Sequence, residues 1–206
     1  MSALSFYVEV IQALEEIGAP YMIVGAFAGL AFGVNRVTFD VDILVDLRED
    51  DFDALAARFP PPRYYADPEM MRNSTRQGVL FNIIDMETGL KADLVPLTRE
   101  PDYQGAFARR VRRSFEDDEG RAYSAWYAPP TAIIIGKLKA WQEGRSAKHP
   151  ADIHAMLVFA LSGLSDVELD MAAIEAAAAD LGTDAEELWQ ALHARAKEDV
   201  RSGDRD

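Results

Sequence analysis

Pro129-Pro130 divides this sequence into two kinds of pattern, and a fold built from one kind of element cannot hold both. Upstream, short apolar runs alternate with turn residues, as strands do. Downstream, the spacing is helical throughout. The expected class is therefore α/β (α+β): a mixed β-sheet core with flanking helices over 1–128, then a helical region over 129–206. Tyr7, Val10, Ile11, Leu14 and Ile17 recur at helical spacing, and Gly18 and Pro20 stop that helix. Tyr21–Val24 reads as a buried strand, 26–32 as a short helix ended by Gly33, and 39–45 as the next strand. Asp50 or Asp51 is placed to cap a helix through Arg58. Two hairpins are expected: 79–86 with 90–97 around Glu87-Thr88-Gly89, and 109–115 with 121–127 around 116–120. Beyond Pro130, helices are expected over 131–143 and 151–161. The capping-box patterns Ser165-Asp166-Val167-Glu168 and Thr183-Asp184-Ala185-Glu186 predict two more helix starts.

Charge narrows the partners. The 206 residues carry 21 Lys+Arg against 35 Asp+Glu, a formal net charge of −14, which disfavours indiscriminate binding to nucleic acid or anionic membrane. From position 151 onward, 13 acidic residues meet 4 basic ones. That stretch is a solvated helical face or a surface for a protein partner. No cysteine is present, so disulfides, thiolate metal sites and cysteine nucleophiles are excluded, and a cytoplasmic location is permitted. The N-terminal stretch lacks the basic region of a signal peptide, and no apolar run reaches the ~18 residues of a membrane span.

Chemistry concentrates in three aspartates. Asp40-Val41-Asp42 lies in an otherwise apolar strand, where positions i and i+2 face the same way. Two carboxylates held together repel unless a cation or hydrogen bonds offset them, and hard divalent ions such as Mg²⁺ prefer such oxygens. The alternative is an edge strand with two solvated aspartates. Fifteen residues earlier, Gly25-Ala26 stands between a strand and a helix, where backbone N–H groups can approach a phosphate, although a plain turn reads the same way. Asp93, inside Lys91-Ala92-Asp93-Leu94-Val95, supplies a third carboxylate, as a two-metal phosphoryl-transfer site requires. Its alternative is a pairing with Lys91 or a nearby arginine, and Asp85 is a weaker rival for the role.

The stretch Val24-Gly25-Ala26 through Asp40-Val41-Asp42-Ile43 resembles the signature of the minimal nucleotidyltransferases, which have the DNA polymerase beta-like nucleotidyltransferase fold. It looks most like bacterial proteins related to the nucleotidyltransferase toxins of abortive-infection and toxin–antitoxin systems. Lys137-Leu138-Lys139-Ala140, Arg145, Lys148 and Asp152-Ile153 look like the family's downstream block, so the resemblance spans roughly 20–155. It implies Mg²⁺- or Mn²⁺-dependent transfer of a nucleoside monophosphate from a nucleoside triphosphate such as ATP to an acceptor hydroxyl on RNA, protein or a small molecule. Asp40, Asp42 and Asp93 would hold the metals, with Asp93 as possible base. Gly25, Ala26, Arg36, Lys137, Arg145 and Lys148 would bind nucleotide. Two departures point to a second reading, a catalytically weak binding module or antitoxin-like partner protein: Ala26 replaces the family's Gly or Ser, and His149 replaces an aspartate. From the residues alone, Arg36 is equally suited to loop carbonyls or Asp46, and Lys137 to snorkelling from a helix side. Arg109-Arg110-Val111-Arg112-Arg113 is the dense basic cluster, suited to an acidic partner or RNA phosphates, or to pairing with Glu116-Asp117-Asp118-Glu119.

Overall fold

The computed structural model describes residues 3–36, 38, 40–116, 120 and 122–203. The chain divides into two compact units, Met1–Phe27 with Val37–Ala128, and Ala28–Arg36 with Pro129–Asp206. The short stretch Ala28–Arg36 thus groups with the helical residues that begin only at Pro129.

The first unit is an α/β unit built on a seven-stranded mixed sheet. Its strands are β1 (Tyr21–Val24), β2 (Asp40–Val45), β3 (Tyr64–Tyr65), β4 (Phe81–Asp85), β5 (Lys91–Pro96), β6 (Val111–Glu116) and β7 (Ala122–Tyr127), in the spatial order β3-β4-β5-β2-β1-β7-β6. Both expected hairpins form as antiparallel pairs, β4 with β5 and β6 with β7. β2 runs antiparallel to β1 and parallel to β5, pairing Asp40 with Lys91 and Asp42 with Asp93. Val41, Ile43, Ala92 and Leu94 on the opposite face are fully buried. Burying such alternate side chains contributes about 1.5–3 kcal/mol for each Val or Ile, and this fixes which face the aspartates take. Helix α1 (Ala3–Glu16) adds Phe6, Val10 and Leu14 to the core at helical spacing.

Some local expectations are corrected or extended, and others fall on residues outside those described. Strand β2 is described from Asp40, because Phe39 lies outside the described residues. Val79 and Leu80 are exposed, so β4 starts at Phe81, where burial begins to alternate. The pattern reading missed a short helix, Pro68–Arg76, although its signals are local: Asp67 accepts a bond from Met70 N–H at 2.9 Å, and Pro68 sits at the first helical position. In the basic cluster, Arg109 ends the helix Gln104–Ala108 rather than joining a strand. Arg110 lies over the Phe107 and Trp126 rings at 4.8 and 5.0 Å, and Arg112 reaches Glu15 at 3.4 Å. The expected pairing with 117–119 lies outside the described residues.

The second unit is helical. We number its helices from the chain order as α2 (Gly25–Leu30, whose last residues belong here), α3 (Pro130–Gly144), α4 (Lys148–Leu161), α5 (Met171–Leu181) and α6 (Thr183–Gly203). Ile133, Ile134, Leu138, Ile153, Met156, Leu157, Ile174 and Trp189 form its core. Gly33 has φ +91°, and a Cβ there would overlap the Phe159 side chain, so only glycine lets the 28–36 stretch lie this close to α4. The capping box at Thr183 does open a helix, but the one at Ser165 does not. Ser165 Oγ instead donates to Val167 C=O at 2.7 Å and accepts from Val167 N–H at 3.2 Å, closing a turn. The next helix starts only at Met171, capped by Asp170 through Ala173 N–H at 2.9 Å. Glu175, Asp180, Asp184, Glu187 and Glu198 lie on exposed positions, as a solvated acidic face requires. Among the described residues, no helix is long and apolar enough to cross a membrane.

Candidate active site

In the first unit, the parallel register of β2 and β5 decides which side chains meet. Asp42 and Asp93 are direct partners across the two strands, and Asp40 is two positions from Asp42 on the same face. Asp93 therefore faces neither the core nor the far side of the sheet. Lys91, the partner of Asp40, faces the same way: its ammonium lies 2.9 Å from Asp93 Oδ2, 3.2 Å from Asp93 Oδ1 and 3.8 Å from Asp40 Oδ1. The hydrogen bond to Asp93, opposed by partial burial and aided by Asp40 and Asp42, holds the Lys91 ammonium above its usual range. Asn82, the β4 partner of Asp93, also donates its side-chain amide to Asp93 Oδ1. Tyr7 of α1 is buried, and burial with the nearby charges of Asp40 and Asp93 pushes its hydroxyl up to about 12. Tyr103 is likewise raised to about 12 by burial, then by Glu100 and Asp42.

Gly25 has φ +68°, and a Cβ on it would overlap Asp42 Oδ2 and lie 3.2 Å from Asp42 Cγ. Glycine is thus required at the turn after β1, and the group that approaches its backbone is the Asp42 carboxylate. Ala26 follows it within a helix of only 6 residues. Asp85, the rival carboxylate, is fully buried and committed elsewhere. It accepts from Glu87 N–H at 3.0 Å and from Arg63 at 3.3 Å, and these bonds outweigh burial and hold its acid below the usual range.

The donor set suits a hard divalent cation: three carboxylates on one face, two of them in register on parallel strands. As they stand, no three His, Cys, Asp or Glu side chains among the described residues are gathered closely enough to hold a metal ion. Asp93 is held instead by Lys91 and Asn82. Sequence reading had Lys91 only as a possible partner of Asp93, and missed Asn82, whose contribution depends on the register of β4.

In the second unit, Arg36 and Lys137 converge on Asp152. Arg36 grips both carboxylate oxygens, Nε to Oδ1 at 2.8 Å and Nη2 to Oδ2 at 2.9 Å, and Lys137 Nζ lies 2.5 Å from Oδ2. Arg36 is committed to Asp152, and Lys137 does not snorkel, since it is buried on α3. Burial pulls the Lys137 ammonium below its usual value, with Asp152 opposing. For Asp152, burial is outweighed by the Arg36 and Lys137 bonds, which hold its acid low. Lys148 is exposed at the start of α4 and weighs on the same group electrostatically. His149 is pulled down by burial and then by Lys148 and Lys137. Arg145 is drawn elsewhere: it ends α3 at φ +52°, stacks over Trp141 at 4.3 Å and meets Asp184 at 2.6 Å.

No family model matches the sequence, and no curated protein matches it. Among solved structures, the chain is similar to the antibiotic-resistance factor ANT(2'')-Ia, with a TM-score of 0.46 and 16% identity over 98% of this chain and 94% of that one. It is similar to a nucleotidyltransferase-like protein from Paracoccidioides brasiliensis, with a TM-score of 0.49 and 18% identity over 90% of each chain. JHP933 from Helicobacter pylori is also similar, with a TM-score of 0.45 and 14% identity over 98% of this chain and 97% of that one. Of these three structures, the Paracoccidioides brasiliensis protein is the one described as nucleotidyltransferase-like.

Proposed function

We propose that the protein is a nucleotidyltransferase that moves a nucleoside monophosphate from a nucleoside triphosphate to an acceptor hydroxyl. The observation that carries this reading is the placement of Asp40, Asp42 and Asp93 on one face of two parallel strands, with Asp42 and Asp93 in register. Asp40 and Asp42 are the residues to hold Mg²⁺ or Mn²⁺, and Asp93 completes that set or accepts the hydroxyl proton. When bound, the cation supplies Lewis acidity to the triphosphate and to the attacking oxygen. In the reaction the acceptor oxygen bonds to the α-phosphorus, the bond from that phosphorus to the β-phosphate oxygen breaks, and pyrophosphate leaves. Gly25 keeps the turn after β1 open beside Asp42, and the Gly25-Ala26 backbone is our candidate for contact with phosphate. Arg36, Lys137 and Lys148 form a group in the second unit with more positive than negative charge around Asp152, a balance suited to attracting phosphate. The pairing of Arg145 with Asp184 leaves it the weakest of the candidates for nucleotide contact.

A second reading, a module of this fold that does not transfer, is favoured by the engagement of Asp93 with Lys91. One experiment separates the two. The protein is incubated with each labelled nucleoside triphosphate, Mg²⁺ and a cell extract, and both pyrophosphate and labelled product are followed. Transfer is expected for the wild type, with a loss of about a thousandfold or more in Asp42→Asn, equivalent to several kcal/mol of lost charge stabilisation. Absence of pyrophosphate with every nucleotide overturns the enzyme reading in favour of the module.

A further inference from the structure

Lys91 is placed in the middle of the candidate site by the strand pairing, not by chance packing. It opens β5 opposite Asp40 and precedes Asp93 by two positions, so the pleat turns all three side chains to one face. Its ammonium meets both oxygens of Asp93, at 2.9 and 3.2 Å, and lies 3.8 Å from Asp40. Those are the oxygens that a divalent cation at this site would need. The same ammonium thus faces two of the three carboxylates at once, Asp93 closely and Asp40 at longer range.

The Lys91–Asp93 and Lys137–Asp152 pairs differ in how easily they open. The Lys137 side chain is 6% exposed and its partner Asp152 2%, so separating them would leave charges stranded away from water. The Lys91 side chain is 44% exposed, and solvent can take up its ammonium when the pair opens. Pairs of that kind contribute little, so they yield to a competing cation of higher charge.

We propose that Lys91 is the resident counter-ion of the site and that its ammonium and a divalent cation exclude one another at Asp93. This rests on the nucleotidyl-transfer reading and deepens it. Lys91 holds the carboxylates together without metal and makes metal binding to the free protein weak. Lys91 is on this view a positioning residue, acting on the reaction through Asp93.

The test is Mn²⁺ binding to the full chain without nucleotide, followed by electron paramagnetic resonance of free Mn²⁺ and by calorimetry. Lys91→Met is expected to bind Mn²⁺ about tenfold more tightly than wild type, and Lys91→Arg, which keeps the charge, to bind as weakly as wild type. In an Asp93→Asn background, Lys91→Met is expected to give no gain, because the competition is for Asp93. Equal or weaker binding by Lys91→Met overturns the proposal. A gain of the same size in the Asp93→Asn background also overturns it, since removal of a distant positive charge would then suffice. Asp42→Asn separates the two levels. If it weakens Mn²⁺ binding while Lys91→Met does not strengthen it, only the role of Lys91 falls. If no variant and no wild type binds Mn²⁺, the metal-dependent transfer reading falls with it. Circular dichroism melts of Lys91→Met and of a second variant, Lys91→Gln, check that each is folded.

Discussion

Carboxylates are handled in opposite ways in the two units. In the helical unit Asp152 is nearly sealed from water and meets two cations, one of them through both guanidinium bonds. In the sheet unit Asp93 and Asp40 share Lys91, and the Asp40 side chain remains 60% exposed. A charge removed from water is costly unless it is compensated, and the buried Asp152 carboxylate is compensated by the two cations that meet it. An under-compensated group persists only where water or a ligand can reach it. The difference separates a carboxylate that holds structure together from carboxylates that, on the proposed reading, receive a cation.

The largest expected effect is on the closed side. Asp152→Ala strands Lys137 and Arg36 and should cost about 3–5 kcal/mol of unfolding free energy, read by urea titration. Asp93→Asn should change stability by no more than about 1 kcal/mol, because its lysine partner is half exposed. Similar losses in both variants would break the contrast.

A smaller effect is expected at the turn that seats Asp42. Gly25→Ala must accommodate a positive φ and an overlap with the Asp42 carboxylate, and it should cost about 1–2 kcal/mol. Its particular signature is loss of Mn²⁺ affinity along with stability, whereas Gly33→Ala, which crowds Phe159, should lower stability and spare Mn²⁺ binding.

The smallest effect, absent at neutral pH, comes from acid. Asp85 and Asp152 have folded pKa values below the ordinary 3.8. Their stabilising contribution is therefore fully present above the unfolded value, and is lost as the pH falls below it and through the lower folded values. Unfolding free energy measured from pH 5 down to pH 2 should fall less steeply in Asp152→Asn than in wild type. An unchanged slope would mean that Asp152 gains nothing from its cations.

Much of the fold was legible because its signals are local. The apolar runs in 79–86 and 90–97, the turn at Gly89 and the helical spacing after Tyr7 each depend on neighbours within a few positions, and each produced its element, with the first strand shortened to Phe81–Asp85. The capping box at Ser165 misled because a serine hydroxyl close to its own backbone serves a turn as readily as a helix start. Asp40 and Asp42 could be assigned to one face from the strand period alone.

What the sequence determined by itself was the composition of the site: three aspartates in apolar strands, a glycine before a short helix, and cations further along. It did not determine their company. That Asp93 stands beside Asp42, that Lys91 and Asn82 close on Asp93, and that Arg36 and Lys137 meet on Asp152 follow from strand register and from helix packing. The residues of the last group lie up to 116 positions apart. Such pairings are settled only when burial of Val41, Ile43, Ala92 and Leu94 on one side, and of Ile133, Leu138, Ile153 and Met156 on the other, chooses one register and one packing from the many that local pattern allows.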